Sequence, residues 1–129
     1  DERYAVQVVQ HDYKTKFPIK YLNQVNGDYP RKNWTSVMLF NCAHPDNRCL
    51  TQVFVETATG KFLHRLEWTE SVGALPIEWN WLPDEYGANP AAKLVHYTVG
   101  TPCFHDYATT PMADIWHKER MLTNYSQQV

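Results

Sequence analysis

The sequence predicts a mixed α/β (α+β) fold, a small mixed sheet with a few helices. Apolar, β-branched runs at 4–10, 34–40 and 93–99 are typical of strands. The stretch 110–122 has the apolar spacing of an amphipathic helix. Because turns containing Pro or Gly separate these runs within 129 residues, we expect a single domain, 1–129, with strands buried on both faces.

The first half of the chain predicts two strands joined by a long connection. Residues 4–10 alternate partly between apolar and polar side chains, which favours a strand. Residues 14–27 are polar and interrupted by Pro18, so they predict a loop with one short helical turn. The run 34–40 predicts a buried strand, and 42–48 predicts a polar turn.

The middle of the chain predicts a short helix followed by irregular segments. Thr51 is a suitable N-cap and Gly60 a suitable C′ residue for that helix. Residues 62–68 leave an extended segment and a helical turn equally open. Residues 75–82 predict an extended segment, and 83–90 predict a loop.

The stretch 93–103 is the one around which we organise the chain. It begins as a predicted buried strand and breaks at Gly100 and Pro102, which favour a tight loop. On a strand, His96 and Thr98 would share one face. A titratable group at the end of a strand and before a glycine loop indicates a ligand site, although a hydrogen-bonded core histidine is the simpler interpretation.

The last predicted element is the helix 110–122. Thr110 can cap it, and Pro111 suits its first turn. Met112, Ile115 and Trp116 can form its apolar stripe.

Composition excludes several classes of function. A net charge of -2 and a pI near 6.3 argue against a nucleic-acid partner. No run approaches the roughly 18 apolar residues of a membrane span. Three cysteines favour reduced thiols, so we expect a cytoplasmic protein. Five Trp and eight Tyr suit a core, and also sites for sugars or nucleotides.

Two short Cys/His pairs raise the possibility of a structural zinc site. Cys42 and His44 lie two residues apart, as do Cys103 and His105. Four such ligands can hold zinc tetrahedrally, although these spacings differ from the usual zinc knuckles.

Three segments together resemble one protein family. Asn33–Asn41, Leu75–Asn80 and Val95–Cys103 occur in the order found in GT-A fold glycosyltransferases, in particular the family 8-like, glycogenin-like enzymes. The resemblance implies transfer of a sugar from a nucleotide-sugar donor to an acceptor that the sequence does not identify. It also implies a divalent cation, Mn²⁺ or Mg²⁺, which stabilises the charge on the leaving diphosphate.

The resemblance implies a role for the 96–103 segment in binding that cation and the diphosphate. His96 falls at the position of the family's metal-binding histidine, and Gly100 at the glycine of the diphosphate loop. Thr101 stands in that loop where a phosphate-binding lysine is often found, and Cys103 stands where tryptophan is common.

The other matched segments imply contacts to the donor sugar. Thr35 and Ser36 fall where the family has an Asn-Ser-Gly run near that sugar, and Asn80 falls at a polar position close to it.

The chain contains no Asp-x-Asp motif, which in the family precedes these segments. We therefore expect a chain that corresponds to the C-terminal half of the domain and lacks the nucleotide-binding half. The isolated chain should bind a cation weakly, lack transferase activity, and self-associate through the face that the missing half would cover. Two alternatives are a non-catalytic carbohydrate-binding module and the structural zinc domain.

Overall fold

The computed structural model describes residues 1–126, with side chains up to Thr123. Its short strands and helices confirm the predicted mixed α+β class. The chain folds into two compact units. The first consists of Asp1–Lys14 and Asp28–Asn80, and the second of Thr15–Gly27 and the chain from Trp81 onward. Of the expected domain 1–129, residues 127–129 lie outside the described part.

All regular elements of the described residues are short except the last helix. The strands are β1 (Val6–Val8), β2 (Ile19–Lys20), β3 (Gln24–Val25), β4 (Met38–Phe40) and β5 (Val72–Ala74). The α-helices are α1 (Gln52–Thr57), α2 (Gly60–His64), α3 (Pro83–Tyr86) and α4 (Ala113–Ser126). The 3₁₀ helices are Tyr21–Asn23, Trp34–Ser36, Pro45–Cys49, Ile77–Asn80 and His105–Tyr107.

The first unit is built on a sheet of order β4-β1-β5, in which β1 is central. Strand β1 runs antiparallel to β4, with Val6 opposite Phe40, and parallel to β5, with Val6 opposite Val72. Because Val6 and Val8 lie two apart, they point to the same face, where they are fully buried. The predicted first strand is thus confirmed, with narrower bounds.

The core of the first unit forms where this face of β1 meets the segment after α2. Val6 and Val8 pack with Leu66, and Trp34 and Trp68 cover the cluster. Each indole nitrogen donates a hydrogen bond, that of Trp34 to the His11 carbonyl (2.8 Å) and that of Trp68 to the Asn47 side chain (3.3 Å). These two partly buried tryptophans therefore both satisfy their indole N–H groups.

The helices between β4 and β5 begin at threonine caps. The Thr51 hydroxyl accepts a hydrogen bond from the Phe54 amide, which confirms the predicted cap of α1. Thr59 caps α2 in the same way through the Phe62 amide. The prediction that Gly60 ends the first helix is wrong, since Gly60 instead begins α2.

The prediction of a buried strand over 34–40 is wrong in two respects. Asn33 adopts a left-handed φ of 61°, which turns Trp34–Ser36 into a 3₁₀ helix and leaves Met38–Phe40 as the strand. Strand β4 pairs with β1 at one edge of the sheet, and Leu39 is 55% exposed. The apolar composition predicted burial, but the strand lies at the edge of the sheet and is therefore exposed.

The second unit contains a hairpin where the sequence predicted a loop. Strands β2 and β3 pair antiparallel, with Ile19 opposite Val25, and the predicted helical turn lies between them. The buried Glu85 carboxylate fixes the start of this segment by accepting hydrogen bonds from the Thr15 hydroxyl (2.5 Å) and the Lys16 amide (3.0 Å). Two-residue strands give little sequence signal, because one alternation is not a pattern.

Two further predictions of extended structure are wrong. Within 93–99 the described structure shows a single β-bridge, between Val95 and Trp81, instead of a strand. The segment 75–82 contains the 3₁₀ helix Ile77–Asn80, and the predicted loop 83–90 begins with α3. Proline at the first turn followed by two acidic residues is a helix-start signal that favours α3.

The predicted C-terminal helix is confirmed, although α4 begins at Ala113 and not near Thr110. Met112 has a left-handed φ of 64°, and the Thr110 hydroxyl donates to Asp84 (2.5 Å), so the first predicted turn is not helical. No helix of the described residues is long and apolar enough to cross a membrane.

We expect Leu66→Ala to lower the free energy of unfolding by about 2–5 kcal/mol, because it opens a cavity in a fully buried cluster. Leu66 has a left-handed φ of 55°. Leucine and alanine both carry a Cβ, so the backbone strain at this position is the same in the wild type and in the variant. Urea unfolding checks the change. Leu39→Ala is the matched control at an exposed position and should cost less than about 1 kcal/mol. Equal losses in the two variants would contradict this description of the core.

Candidate functional site

His96 is held in the second unit by backbone hydrogen bonds on both sides of Val95. The Trp81 amide donates to the Leu94 carbonyl (2.9 Å), and the His96 amide donates to the Trp81 carbonyl (2.8 Å). The Trp81 indole in turn donates to the Gly87 carbonyl (2.8 Å) just after α3. These bonds fix the backbone of His96 against the chain that enters α3.

Asp84 on α3 is the charged group that acts on His96. Its carboxylate accepts hydrogen bonds from the Thr110 hydroxyl (2.5 Å) and the Val99 amide (3.4 Å). Burial lowers the pKa of His96 from its ordinary value of 6.5, and the negative charge of Asp84 partly opposes that shift. His96 is half-buried, and the lowered pKa favours its neutral form, in which histidine binds metals.

The glycine loop after His96 is tightly packed. Gly100 is buried, and a Cβ at this position would collide with the ring of Tyr107, so a close approach requires glycine here. The Phe104 amide donates to the Thr101 carbonyl (3.1 Å), which closes a turn, and the Thr101 hydroxyl lies 2.7 Å from the Cys103 sulfur. Thr101 thus begins a hydrogen-bonded turn, and Gly100 packs against Tyr107 directly before it.

Thr98, between His96 and this turn, has a buried hydroxyl oxygen without a hydrogen-bond partner in the described part of the chain. Buried hydroxyls are usually satisfied, and an exception needs an explanation such as a ligand or water. The segment 96–101 therefore combines a neutral imidazole, an unsatisfied hydroxyl and a fixed turn.

The predicted site residues of the first unit meet around the 33–36 turn. Asn80 is fully buried, and its amide nitrogen donates to the Asn33 carbonyl (3.0 Å) and to the Ser36 hydroxyl (2.9 Å). Ser36 donates to the same Asn33 carbonyl (2.5 Å). Asn80 and Ser36 therefore position the left-handed turn, and the full burial of Asn80 leaves no surface for a direct contact with sugar.

Thr35 points to a different partner from Ser36. Its hydroxyl oxygen lies 2.9 Å from Nδ1 of His64, at the end of α2. The structure thus groups Ser36 with Asn80, and Thr35 with His64, within the first unit. His96, Gly100 and Thr101 form the other group, within the second unit.

The described residues do not form a complete metal site. In the part of the chain that the structure describes, no group of three or more His, Cys, Asp or Glu side chains could hold a metal ion. His96 fits as one ligand because it is neutral, but the remaining ligands of a Mn²⁺ or Mg²⁺ ion would have to come from elsewhere.

The zinc hypothesis gains no support from the local contacts of its four residues. Nδ1 of His44 accepts a hydrogen bond from the Asp46 amide (3.3 Å) as the cap of the 3₁₀ helix Pro45–Cys49. Cys42 and Cys103 are both exposed thiols, one in each unit, and His105 pairs with its neighbour Asp106 (3.4 Å).

Sequence reasoning missed Asp84 and His64. Asp84 follows Pro83 after two apolar residues, and this helix-start signal indicates its place on α3 but not its contacts with Val99 and Thr110. His64 lies three residues after Lys61 and one before Arg65, which puts the three on one side of a helix once Thr59 is recognised as its cap.

The chain is similar in sequence to a plant protein. The chain is 42% identical over 126 residues to "Protein CDI" of Arabidopsis thaliana, an alignment that covers 92% of this chain and 49% of that protein. The chain thus spans about half the length of this curated relative. No protein-family model and no solved structure matches the chain.

We expect His96 to contribute to the pH dependence of stability. Because burial lowers its pKa, the unfolded chain binds a proton below pH 6.5 that the folded chain resists. The free energy of unfolding should therefore fall as the pH decreases below 6.5, and His96→Gln should make this fall shallower. Urea unfolding above and below pH 6.5 measures this pH dependence of the free energy of unfolding. The control is His105→Gln, which replaces an exposed imidazole. Identical slopes in the wild type and His96→Gln would contradict the assignment.

We expect Asn80→Ala to lower the free energy of unfolding by about 1–3 kcal/mol, because it removes the two hydrogen bonds that this fully buried side chain donates to the Asn33 carbonyl and the Ser36 hydroxyl. Gln10→Ala, at an exposed polar position in the same unit, should change it by less than about 0.5 kcal/mol. Denaturant unfolding measures both variants. A near-neutral Asn80→Ala would show that the 33–36 turn does not depend on this amide.

Proposed function

We propose that this chain is part of a nucleotide-sugar-dependent glycosyltransferase and supplies the C-terminal half of its catalytic domain, which includes the loop that contacts the diphosphate. The donor would be a nucleotide sugar, and the acceptor is not specified by the described residues. The proposal rests on the three matched segments and on what the structure adds at His96, Gly100 and Thr101.

The observation that supports the proposal most is the neutral His96 imidazole, held beside Asp84 and ahead of the packed Gly100 turn. Transfer of a sugar from a nucleoside diphosphate leaves growing negative charge on the diphosphate. Groups that are already oriented stabilise such charge best, because they need no reorganisation during the reaction. A rigid turn preceded by a neutral imidazole and an unsatisfied Thr98 hydroxyl is suited to this task.

We infer that a divalent cation, Mn²⁺ or Mg²⁺, completes the site when the donor binds. His96 would supply one ligand, and carboxylates of an Asp-x-Asp motif outside this chain and diphosphate oxygens would supply the others. The cation would neutralise charge on the leaving diphosphate. With one protein ligand, the affinity of this chain alone should be low.

The length of the curated relative supports the proposal that the rest of the site lies outside this chain. Protein CDI of Arabidopsis is about twice as long as the aligned segment, so it has room for a further half-domain. We accordingly propose that this chain alone transfers no sugar. We also propose that this chain self-associates through the exposed edge of β4, because the missing half-domain leaves such a surface uncovered.

The proposal predicts manganese-dependent binding of a nucleoside diphosphate that requires His96. Titration calorimetry with a panel of nucleoside diphosphates, with and without manganese chloride, should show weak binding that depends on the metal. His96→Ala should weaken it by about tenfold or more, since even the partners that orient metal ligands have effects of that size. His105→Ala removes an exposed imidazole of the same unit and is the matched control.

Equal effects of the two substitutions, or binding that ignores manganese, would contradict the proposed role of His96. Sugar binding that ignores manganese would favour the carbohydrate-binding module instead. Sugar transfer by the purified chain would show that the fragment is sufficient and would overturn the inference that it is inactive alone.

A further inference from the structure

A cavity of about 320 Å³ lies in the first unit, outside the proposed diphosphate site. Its lining is mainly apolar and includes side chains from β4, α2 and the segments beside them. They include Met38, Phe40, Leu50, Val55, Leu63 and Trp68. The rings of Phe40 and Trp68 stack at 6.5 Å between centroids, which gives the cavity a flat aromatic wall. Its volume falls in the range of small-molecule sites.

A second cavity, of about 220 Å³, has the opposite character. Tyr29, Lys61, His64 and Arg65 line it. Lys61 and Arg65 lie four residues apart at α2, so their side chains are on the same side of that helix. Two permanent cations and a phenol around a small cavity favour an anion with several acceptor oxygens.

The positive charge of this cleft is only partly compensated. Arg65 approaches Glu67 at 4.0 Å, whereas in the described part of the chain no carboxylate pairs with Lys61. The Arg31 guanidinium donates to the Arg65 carbonyl (2.5 Å) and lies 5.4 Å from the Trp34 ring centre, which fixes the backbone of the cleft. The cleft therefore combines a fixed backbone at Arg65 with two cationic side chains, of which Lys61 is exposed.

His64 lines both cavities and joins them. Its Nδ1 lies 2.9 Å from the Thr35 hydroxyl, so the ring is held at the boundary between apolar wall and cationic cleft. A ligand that fills both sides must have an apolar part and an anionic group next to each other. Charge complementarity then selects the head group, and the apolar wall selects the tail.

We propose that the first unit binds a single anionic amphiphile, an apolar chain or ring that bears a phosphate group. The apolar part occupies the cavity against Phe40 and Trp68, and the phosphate contacts Lys61, His64 and Arg65. This goes beyond the glycosyltransferase proposal and does not depend on it, because it uses neither His96 nor a metal ion. The occupant is a molecule taken from solution and not a bilayer surface, because its tail must enter a concave site.

Titration calorimetry with octyl phosphate, below its micelle-forming concentration, tests this inference. Octanol has the apolar chain without the phosphate, and inorganic phosphate has the anionic group without the chain. Each should therefore bind more weakly than octyl phosphate. Lys61→Glu should weaken octyl phosphate binding by about tenfold and leave octanol binding unchanged, since it reverses one charge in the cleft. Lys118→Glu is the matched control, an exposed charge reversal on α4 that lines neither cavity.

A cavity-filling variant tests the apolar part separately. Gly60 lines the large cavity, and a Cβ at this position meets no atom within 4 Å, so the side chain of Gly60→Leu starts in open space beside the cavity. Leucine is also a better helix former than glycine, so the variant should fold. It should weaken binding of octyl phosphate and octanol alike, with circular dichroism confirming the fold.

Three results would overturn the inference. In the first, octyl phosphate binds no more tightly than octanol or inorganic phosphate alone. In the second, Lys61→Glu and Lys118→Glu weaken octyl phosphate binding equally. In the third, phosphatidic acid vesicles bind the chain, and both lysine variants lose this binding to the same extent. The last result would identify adsorption to a charged membrane surface instead of insertion into the cavity.

Discussion

The carboxylate of Asp84 is the interaction on which the arrangement of the second unit depends. It accepts hydrogen bonds from Thr110, before α4, and from the amide of Val99, before the glycine turn. It also opposes the shift that burial imposes on the pKa of His96. One negative charge thus fixes the entrance to α4, the start of the Gly100 turn and the electrostatic surroundings of the imidazole. The bond from the Thr110 hydroxyl is short (2.5 Å) and goes to a charged acceptor, so it is stronger than a bond between neutral groups.

In the first unit the corresponding role belongs to an uncharged side chain, that of Asn80. Asn80 has no exposed surface, and its amide ties the Asn33 carbonyl to the Ser36 hydroxyl across a left-handed turn. That turn directs Thr35 toward His64, where the apolar cavity meets the cationic cleft. A buried side-chain amide with all its hydrogen bonds made is well suited to hold such a turn, because losing any of these bonds would destabilise the folded state. The resemblance to glycosyltransferases drew attention to Asn80 as a sugar contact, and its burial gives it a positioning role.

The candidate site was only partly predictable from the sequence. His96, Gly100 and Thr101 were identified through a short motif, and the structure gives each a defined setting. Asp84 and His64 were missed because neither stands in a recognisable motif. Asp84 acts through Val99 and Thr110, which lie 15 and 26 residues away along the chain. Contacts over such separations leave no local pattern in one sequence, because residue spacing records only neighbours on the same helix or strand.

The sequence by itself determined the fold class, the first strand, the Thr51 cap and the existence of the last helix. Each of these follows from local rules of periodicity and capping that act within a few residues. Only the tertiary structure decided that 93–99 is a bridged loop and that β4 is an exposed edge. It also decided that the pKa of His96 is lowered, because desolvation depends on how the rest of the unit packs around the ring. An apolar run in the sequence indicates side chains that can be buried. Whether they are buried depends on the segments that pack against them in the folded structure.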